Sequence, residues 1–126
     1  MQPVRKELFC DIAIIGGGVG GCAAAIAAAR RGRHVMIFER GVSLGGLATN
    51  GYVPQIAGGI EGICLEFAKR LDDAGQLRKL YPDKDYYRNP SFEPEYGKIV
   101  LEEMVTQAGA RIIYDAVCID VRAPAL

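Results

Sequence analysis

Neither sign of charge predominates in this sequence: 15 Lys and Arg balance 15 Asp and Glu. No general field therefore draws the chain toward nucleic acid or an anionic membrane, and any partner has to be argued from a site. Histidine occurs once, as His34. It stands just before an apolar run, where a strand-edge residue is expected rather than a base or a ligand, and no second histidine remains for a hydrolytic triad or a His-rich metal site. The four cysteines, Cys10, Cys22, Cys64 and Cys118, include no C-x-x-C pair. Neither a zinc site nor a thioredoxin-type redox pair is suggested, no metal site is expected, and reduced thiols in a cytoplasmic protein are the expectation. An uncharged run from Ile12 to Ala29 approaches the length of a membrane helix. Five glycines interrupt it, each about 1 kcal/mol less favourable to helix than alanine, so strand, turn and helix explain the same letters better than a membrane span or signal peptide. Internal repeats are absent, as are low-complexity tracts beyond the alanines.

Half of the 126 residues are apolar, which suits one core and not two. Thirteen of the sixteen glycines fall between Gly16 and Gly62, so backbone-dependent work is concentrated in the first half. Phe9 to Ile15 reads as a buried parallel strand ending at glycines. From about Gly20, Cys22 to Arg31 reads as an Ala-rich helix with arginines in its last turn and Gly32 as its stop. His34 to Glu39 is a second buried strand, which completes a β-α-β unit of the usual ~30 residues. Residues 41–59 are a long loop, expected to be functional or pinned by a ligand. Ile60, Ile63, Cys64, Phe67 and Leu71 recur at helical spacing, with Cys64 read as a core thiol rather than a redox thiol. The stretch 76–93, with Tyr81, Tyr86 and Tyr87, reads as an irregular connection whose aromatics dock on the body of the protein. A helix resumes near Pro94, with Ile99, Val100, Leu101, Met104 and Val105 as its apolar side and Gly109 as its stop. Arg111 to Tyr114 and Val117 to Val121 are strand-like runs.

Gly16-Gly17-Gly18-Val19-Gly20-Gly21 contains G-x-G-x-x-G between a predicted strand and a predicted helix. In that setting Gly16 permits a sharp turn off the strand, Gly18 lets backbone approach a pyrophosphate, and Gly21 lets helix and strand pack closely. The helix N-terminus offers free N–H groups and a positive dipole to phosphates. Cys22 opens this helix, where the dipole would lower its pKa, although packing against the sheet explains it equally well. Glu39 follows Gly21 by 18 residues at the end of the second strand, placed to accept hydrogen bonds from ribose hydroxyls and to repel a 2′-phosphate, which disfavours NADP.

The stretch from Asp11 to Gly21, with Ala25, Ala29, Arg31-Gly32, Val35 and Glu39-Arg40, resembles the N-terminal FAD-binding segment of the glutathione-reductase-like flavoproteins. Leu44-Gly45-Gly46-Leu47-Ala48-Thr49-Asn50-Gly51 resembles the L-G-G-x-x-T-x-G stretch of the FAD-dependent oxidoreductase family. Phe92-Glu93-Pro94-Glu95 and Ala108-Gly109-Ala110 extend the likeness over nearly the whole chain. The resemblance implies FAD with its pyrophosphate over Gly16, Gly18 and Gly21 and its adenosine ribose on Glu39. It places adenine near Arg40 and the backbone around Val117, and Gly45, Gly46 and Thr49 near the ribityl or flavin end. Paired glycines also let backbone N–H groups approach a planar ring or a phosphate, although Gly45 and Gly46 alone could be a plain turn.

The expectation is thus an α/β, Rossmann-like FAD/NAD(P)-binding domain of three-layer type with a parallel sheet, one domain over residues 1–126. Relatives are several times longer, so the sheet is expected to be cut short and the chain to be a fragment or one piece of a split protein. The expected function is the cofactor-binding portion of a flavin-dependent oxidoreductase, passing a hydride between an unknown small-molecule substrate and the flavin, with no catalytic residue identified. The alternatives are an NAD-binding dehydrogenase segment and a non-catalytic nucleotide-binding or interaction module. An incomplete sheet would leave an edge open to self-association or to a companion chain.

Overall fold

The computed structural model describes residues 5–58 and 60–125. Strand β1 (Ile12–Ile15) leads through the glycine turn to helix α1 (Val19–Ala29), which returns to β2 (Val35–Phe38). Alanine favours the helix, and Gly32, at φ +79°, turns the chain out of it while its N–H donates to the Ala29 carbonyl at 2.9 Å. After a long loop with one 3₁₀ turn (Gly46–Ala48) come α2 (Gly62–Asp73) and a short pair, β3 (Leu77–Arg78) with β4 (Ser91–Phe92). Helix α3 (Pro94–Gln107) and β5 (Arg111–Ile113) follow. Pro94 occupies the first turn of α3, and the Glu93 carboxylate caps that helix by accepting from the Tyr96 N–H at 2.8 Å.

The main sheet is parallel, in the order β1-β2-β5. Ile14 pairs with Ile37, and Ile37 with Ile112. These three and Val35 point into one core with Ile26, Phe67, Leu71, Met104 and Val105 from the helices. Fully burying a side chain such as Ile26 or Ile37 contributes about 1.5–3 kcal/mol. Phe67 meets the ring of Phe92 edge to face at 5.2 Å, fastening α2 to the β3–β4 pair. Glu66 on α2 accepts from Arg30, beyond α1, and from Arg70, whose second nitrogen donates to Gln107 at the end of α3.

Several expectations are corrected. The three-layer arrangement is not present among the described residues, which form two layers with the helices against one face of the sheet. On the other face, among the described residues of the strands, only Met36 is buried, and Ile15 is 57% exposed. β1 is parallel, as expected, but lies at an edge and is largely exposed. Val117 to Val121 is not a strand: with no neighbour to pair with among the described residues, it runs irregularly, and Ile119 is 94% exposed. The connection 76–93 carries the two short strands that an irregular reading omits. Of its tyrosines, Tyr87 docks on the body by donating to Asp72 at 2.8 Å, whereas Tyr81 and Tyr86 stay exposed. Ile99 faces water, not the core. His34 is exposed beside the start of β1, its backbone N–H donating to the Asp11 carboxylate at 2.7 Å. No helix of the described residues is long and apolar enough to cross a membrane.

Candidate functional site

The carboxyl ends of β1 and β2 carry the residues singled out by the glycine fingerprint. Gly16 leaves β1 at φ +99°, a conformation open to glycine, and its N–H still donates to the Phe38 carbonyl at 2.9 Å, so the turn begins on the last rung of the ladder. A Cβ built on Gly21 would collide with the Gly16 carbonyl oxygen, so the helix crosses the turn at a separation only glycine allows. Gly18 is different. Its backbone is ordinary, at φ −67° and ψ 179°, and a Cβ there would meet nothing. The fold does not require glycine at this position. Gly18 is also the N-cap of α1, where no side chain caps the helix and no acidic residue stands in the first turn. The positive end of the helix is thus left for a group from outside.

Glu39 prolongs β2, its N–H donating to the Ile113 carbonyl at 2.9 Å. One carboxylate oxygen accepts from the Gly17 N–H at 2.7 Å and the other from the Gly41 N–H at 2.6 Å. These contacts fix the carboxylate against the glycine turn while each oxygen keeps further acceptor capacity. Ile15, Gly16, Phe38, Glu39, Arg40 and Val117 line a shallow cleft of about 250 Å³. Val117 is 70% exposed and reaches this place because the Ala116 N–H donates to the Glu39 carbonyl at 3.0 Å. Gly16, Glu39, Arg40 and Val117, scattered in sequence, therefore share one cleft.

The second glycine cluster comes to the first. The Gly45 N–H donates to the Gly17 carbonyl at 2.8 Å, and a Cβ on Gly46 would stand 3.3 Å from the Gly18 Cα. Both glycines have positive φ, +101° and +53°. Thr49 is 0% exposed, and its hydroxyl donates to the Leu44 carbonyl at 2.6 Å. It holds this loop from within, beside Gly45, and presents no surface to solvent.

The motif pattern passed over Gly17, which organises the site. Its N–H goes to Glu39, its carbonyl accepts from Gly45 and from the Cys22 thiol at 3.3 Å, and a Cβ on it would run into Leu44. The only sequence signal was a glycine at a position where the motif tolerates any residue. At Cys22 burial pushes the thiol up to about 11, outweighing the backbone hydrogen bonding at Gly45 and Cys22 that favours the thiolate. Cys64 is exposed on α2, not in the core, and partial burial raises its thiol as well. Among the described residues no group of three His, Cys, Asp or Glu is placed to hold a metal.

Comparison with known proteins gives this geometry a context. The chain is 53% identical over 45 residues to the soluble pyridine nucleotide transhydrogenase of Mycobacterium bovis (strain BCG / Pasteur 1173P2), a match covering 35% of this chain and 10% of that protein. It is 51% identical over 47 residues to the mercuric reductase of Streptomyces lividans, covering 37% and 10%. The matches thus span about a tenth of the length of these curated relatives. Among solved structures, that of Thermovibrio ammonificans THI4 is similar with a TM-score of 0.55 and 28% identity, over 83% of this chain and 38% of that one. The FAD dependent oxidoreductase family matches residues 11–124, from the acid just before β1 to the exposed segment past the cleft. The chain belongs to the FAD dependent oxidoreductase family, and FAD is the cofactor that this membership brings.

Proposed function

We propose that this chain binds the ADP half of FAD and serves as the cofactor-binding part of a flavin-dependent oxidoreductase acting on a small-molecule substrate. The observation that carries the reading is Gly18: a glycine the fold does not need, at the uncapped start of a helix, beside a turn held by Glu39. The donor set fits the group. Uncapped N–H groups and the dipole of α1 suit a pyrophosphate, and a missing Cβ at Gly18 lets it come close. The oriented Glu39 carboxylate suits a ribose diol and repels a 2′-phosphate. In this reading Gly16 and Gly21 shape the turn, Arg40 and the backbone at Val117 border the adenine, and Gly45 and Gly46 present backbone toward the ribityl or flavin end. Thr49 supports them through Leu44.

Bound FAD supplies the redox chemistry, taking up or giving a hydride. The chain's own part is to orient the cofactor and neutralise its phosphates. Four free cysteines and the absence of net charge favour a cytoplasmic location and a partner other than nucleic acid. Self-association through β1 is the competing reading, favoured by the exposed side chains of that edge strand.

An absorption spectrum from about 300 to 550 nm, before and after adding FAD and removing the excess, tests the proposal. Flavin bands near one per chain, lost in Glu39→Ala, are expected. A chain that rejects FAD would defeat the proposal, and a Glu39→Ala variant that retains it unchanged would defeat the ribose assignment.

A further inference from the structure

On the helical side of the molecule, α1, α2, α3 and the segment 55–57 surround a cleft of about 280 Å³. Its walls include Val19 and Ala23 on successive turns of α1, Ile63 and Phe67 of α2, and Leu101 and Met104 of α3. Among the described residues no charged side chain lines it. Of the polar groups that do, the Cys22 thiol is already engaged with the Gly17 carbonyl, which leaves the Gln55 amide and the Cys64 thiol. The cleft also reaches the junction of the two glycine clusters, because Val19 follows Gly18 and Ala48 stands two residues after Gly46.

We infer that this cleft is a binding site for an apolar small molecule, a hydrocarbon chain or an unsubstituted aromatic ring system. A charged or heavily hydroxylated molecule would lose its hydration there and find almost no partners, whereas an apolar one gains by leaving water. Size points the same way. A cavity of about 150 Å³ takes benzene, so this one accepts roughly twice as many atoms, about twelve. A second copy of the chain is a poor occupant. The accessible lining is far smaller than the ~800 Å² per partner that a stable interface buries, and it is concave between three helices. Small-molecule sites have this character, largely apolar with a few polar groups at the rim. Identifying the bound molecule as the substrate of the flavin chemistry rests on the proposed function; the binding itself does not.

The test is a fluorescence titration of the cofactor-free 126-residue chain with naphthalene, with succinate as the polar comparator. Saturable one-to-one binding of naphthalene in the micromolar range is expected, with none for succinate. Ala23→Phe, which fills the cleft, should weaken it at least tenfold. Ala24→Phe, at an exposed position of the same helix, should not, and circular dichroism should show both variants folded. Alkylation of Cys64 by N-ethylmaleimide, followed by peptide mass spectrometry, should slow when naphthalene is bound. Absence of saturation, or equal affinity in the two variants, would overturn the inference. So would a dimer in sedimentation that dissociates as naphthalene binds, since the cleft would then belong to a second copy. A chain that takes naphthalene and rejects FAD would fail the cofactor reading alone, and one that retains FAD and ignores naphthalene would fail this inference alone.

Discussion

Of two glycines three residues apart, packing requires Gly21, whereas only the proposed ligand asks for Gly18, and substitution by alanine tells the two cases apart. At Gly21 the added methyl would enter the Gly16 carbonyl oxygen, and both partners are backbone at the helix–strand crossing. Nothing there can move cheaply, so Gly21→Ala is expected to cost about 3 kcal/mol, at the upper end of overpacking penalties. At Gly18 the methyl would project into open space on an ordinary backbone. The slightly poorer capping by alanine is offset by the smaller entropy of the unfolded chain, and stability should change by no more than ~0.5 kcal/mol. Its FAD affinity, by contrast, should fall at least tenfold. Urea denaturation without cofactor and a flavin titration read the two effects apart. A Gly18→Ala variant that binds FAD as the parent does would mean that no ligand approaches this backbone.

Among the elements, α1, α2 and α3 are joined through Glu66, whose carboxyl is held below the usual glutamate range chiefly by its hydrogen bond from Arg30, with Arg70 adding to it. A folded pKa below the unfolded one means that the contribution is complete above about pH 4.5 and is lost as pH falls through the lowered value. Glu66→Gln should therefore unfold at lower denaturant than the parent at pH 7, with the two midpoints converging as the pH falls through the lowered value and Glu66 takes up its proton. A gap independent of pH would show that packing, not charge, joins the helices. The elements themselves were largely legible, because a run such as Val35–Phe38 or the Phe67 and Leu71 spacing is set by burial on one side. What pattern does not carry is the neighbour. Ile12–Ile15 and Val117–Val121 are both strand-like runs rich in β-branched residues, yet the first is an edge strand and the second pairs with nothing described. Cys64 falls at a core spacing on α2 but faces a cleft, since three helices converge there without filling the space. The steric tasks of Gly16 and Gly21 were legible from the motif. The contacts of Gly17 and Thr49 were not, since they depend on a second loop folding back onto the first.

Taken whole, the molecule covers one face of its sheet and leaves apolar side chains such as Ile15, Ile119 and Val121 in water. Less apolar surface is buried than the composition would permit, so a ligand that binds only the folded form should contribute visibly to stability. At a hundredfold excess over Kd the gain is about 2.7 kcal/mol, which for a chain of this length raises Tm by roughly 10 °C. ADP alone should produce this effect, because the proposed site addresses the pyrophosphate through α1 and the ribose through Glu39. Adenosine 2′,5′-bisphosphate should produce little, because its 2′-phosphate would lie against the Glu39 carboxylate, which is fixed by Gly17 and Gly41 and cannot swing away without abandoning both hydrogen bonds. Glu39→Ser removes that charge and should narrow the difference between the two nucleotides from both sides, weakening ADP and admitting the 2′-phosphate. Thermal shifts measured with each nucleotide over a concentration series decide the matter: equal shifts from both in the parent chain would place the ribose away from Glu39, and the cleft at the ends of β1 and β2 would lose its assignment.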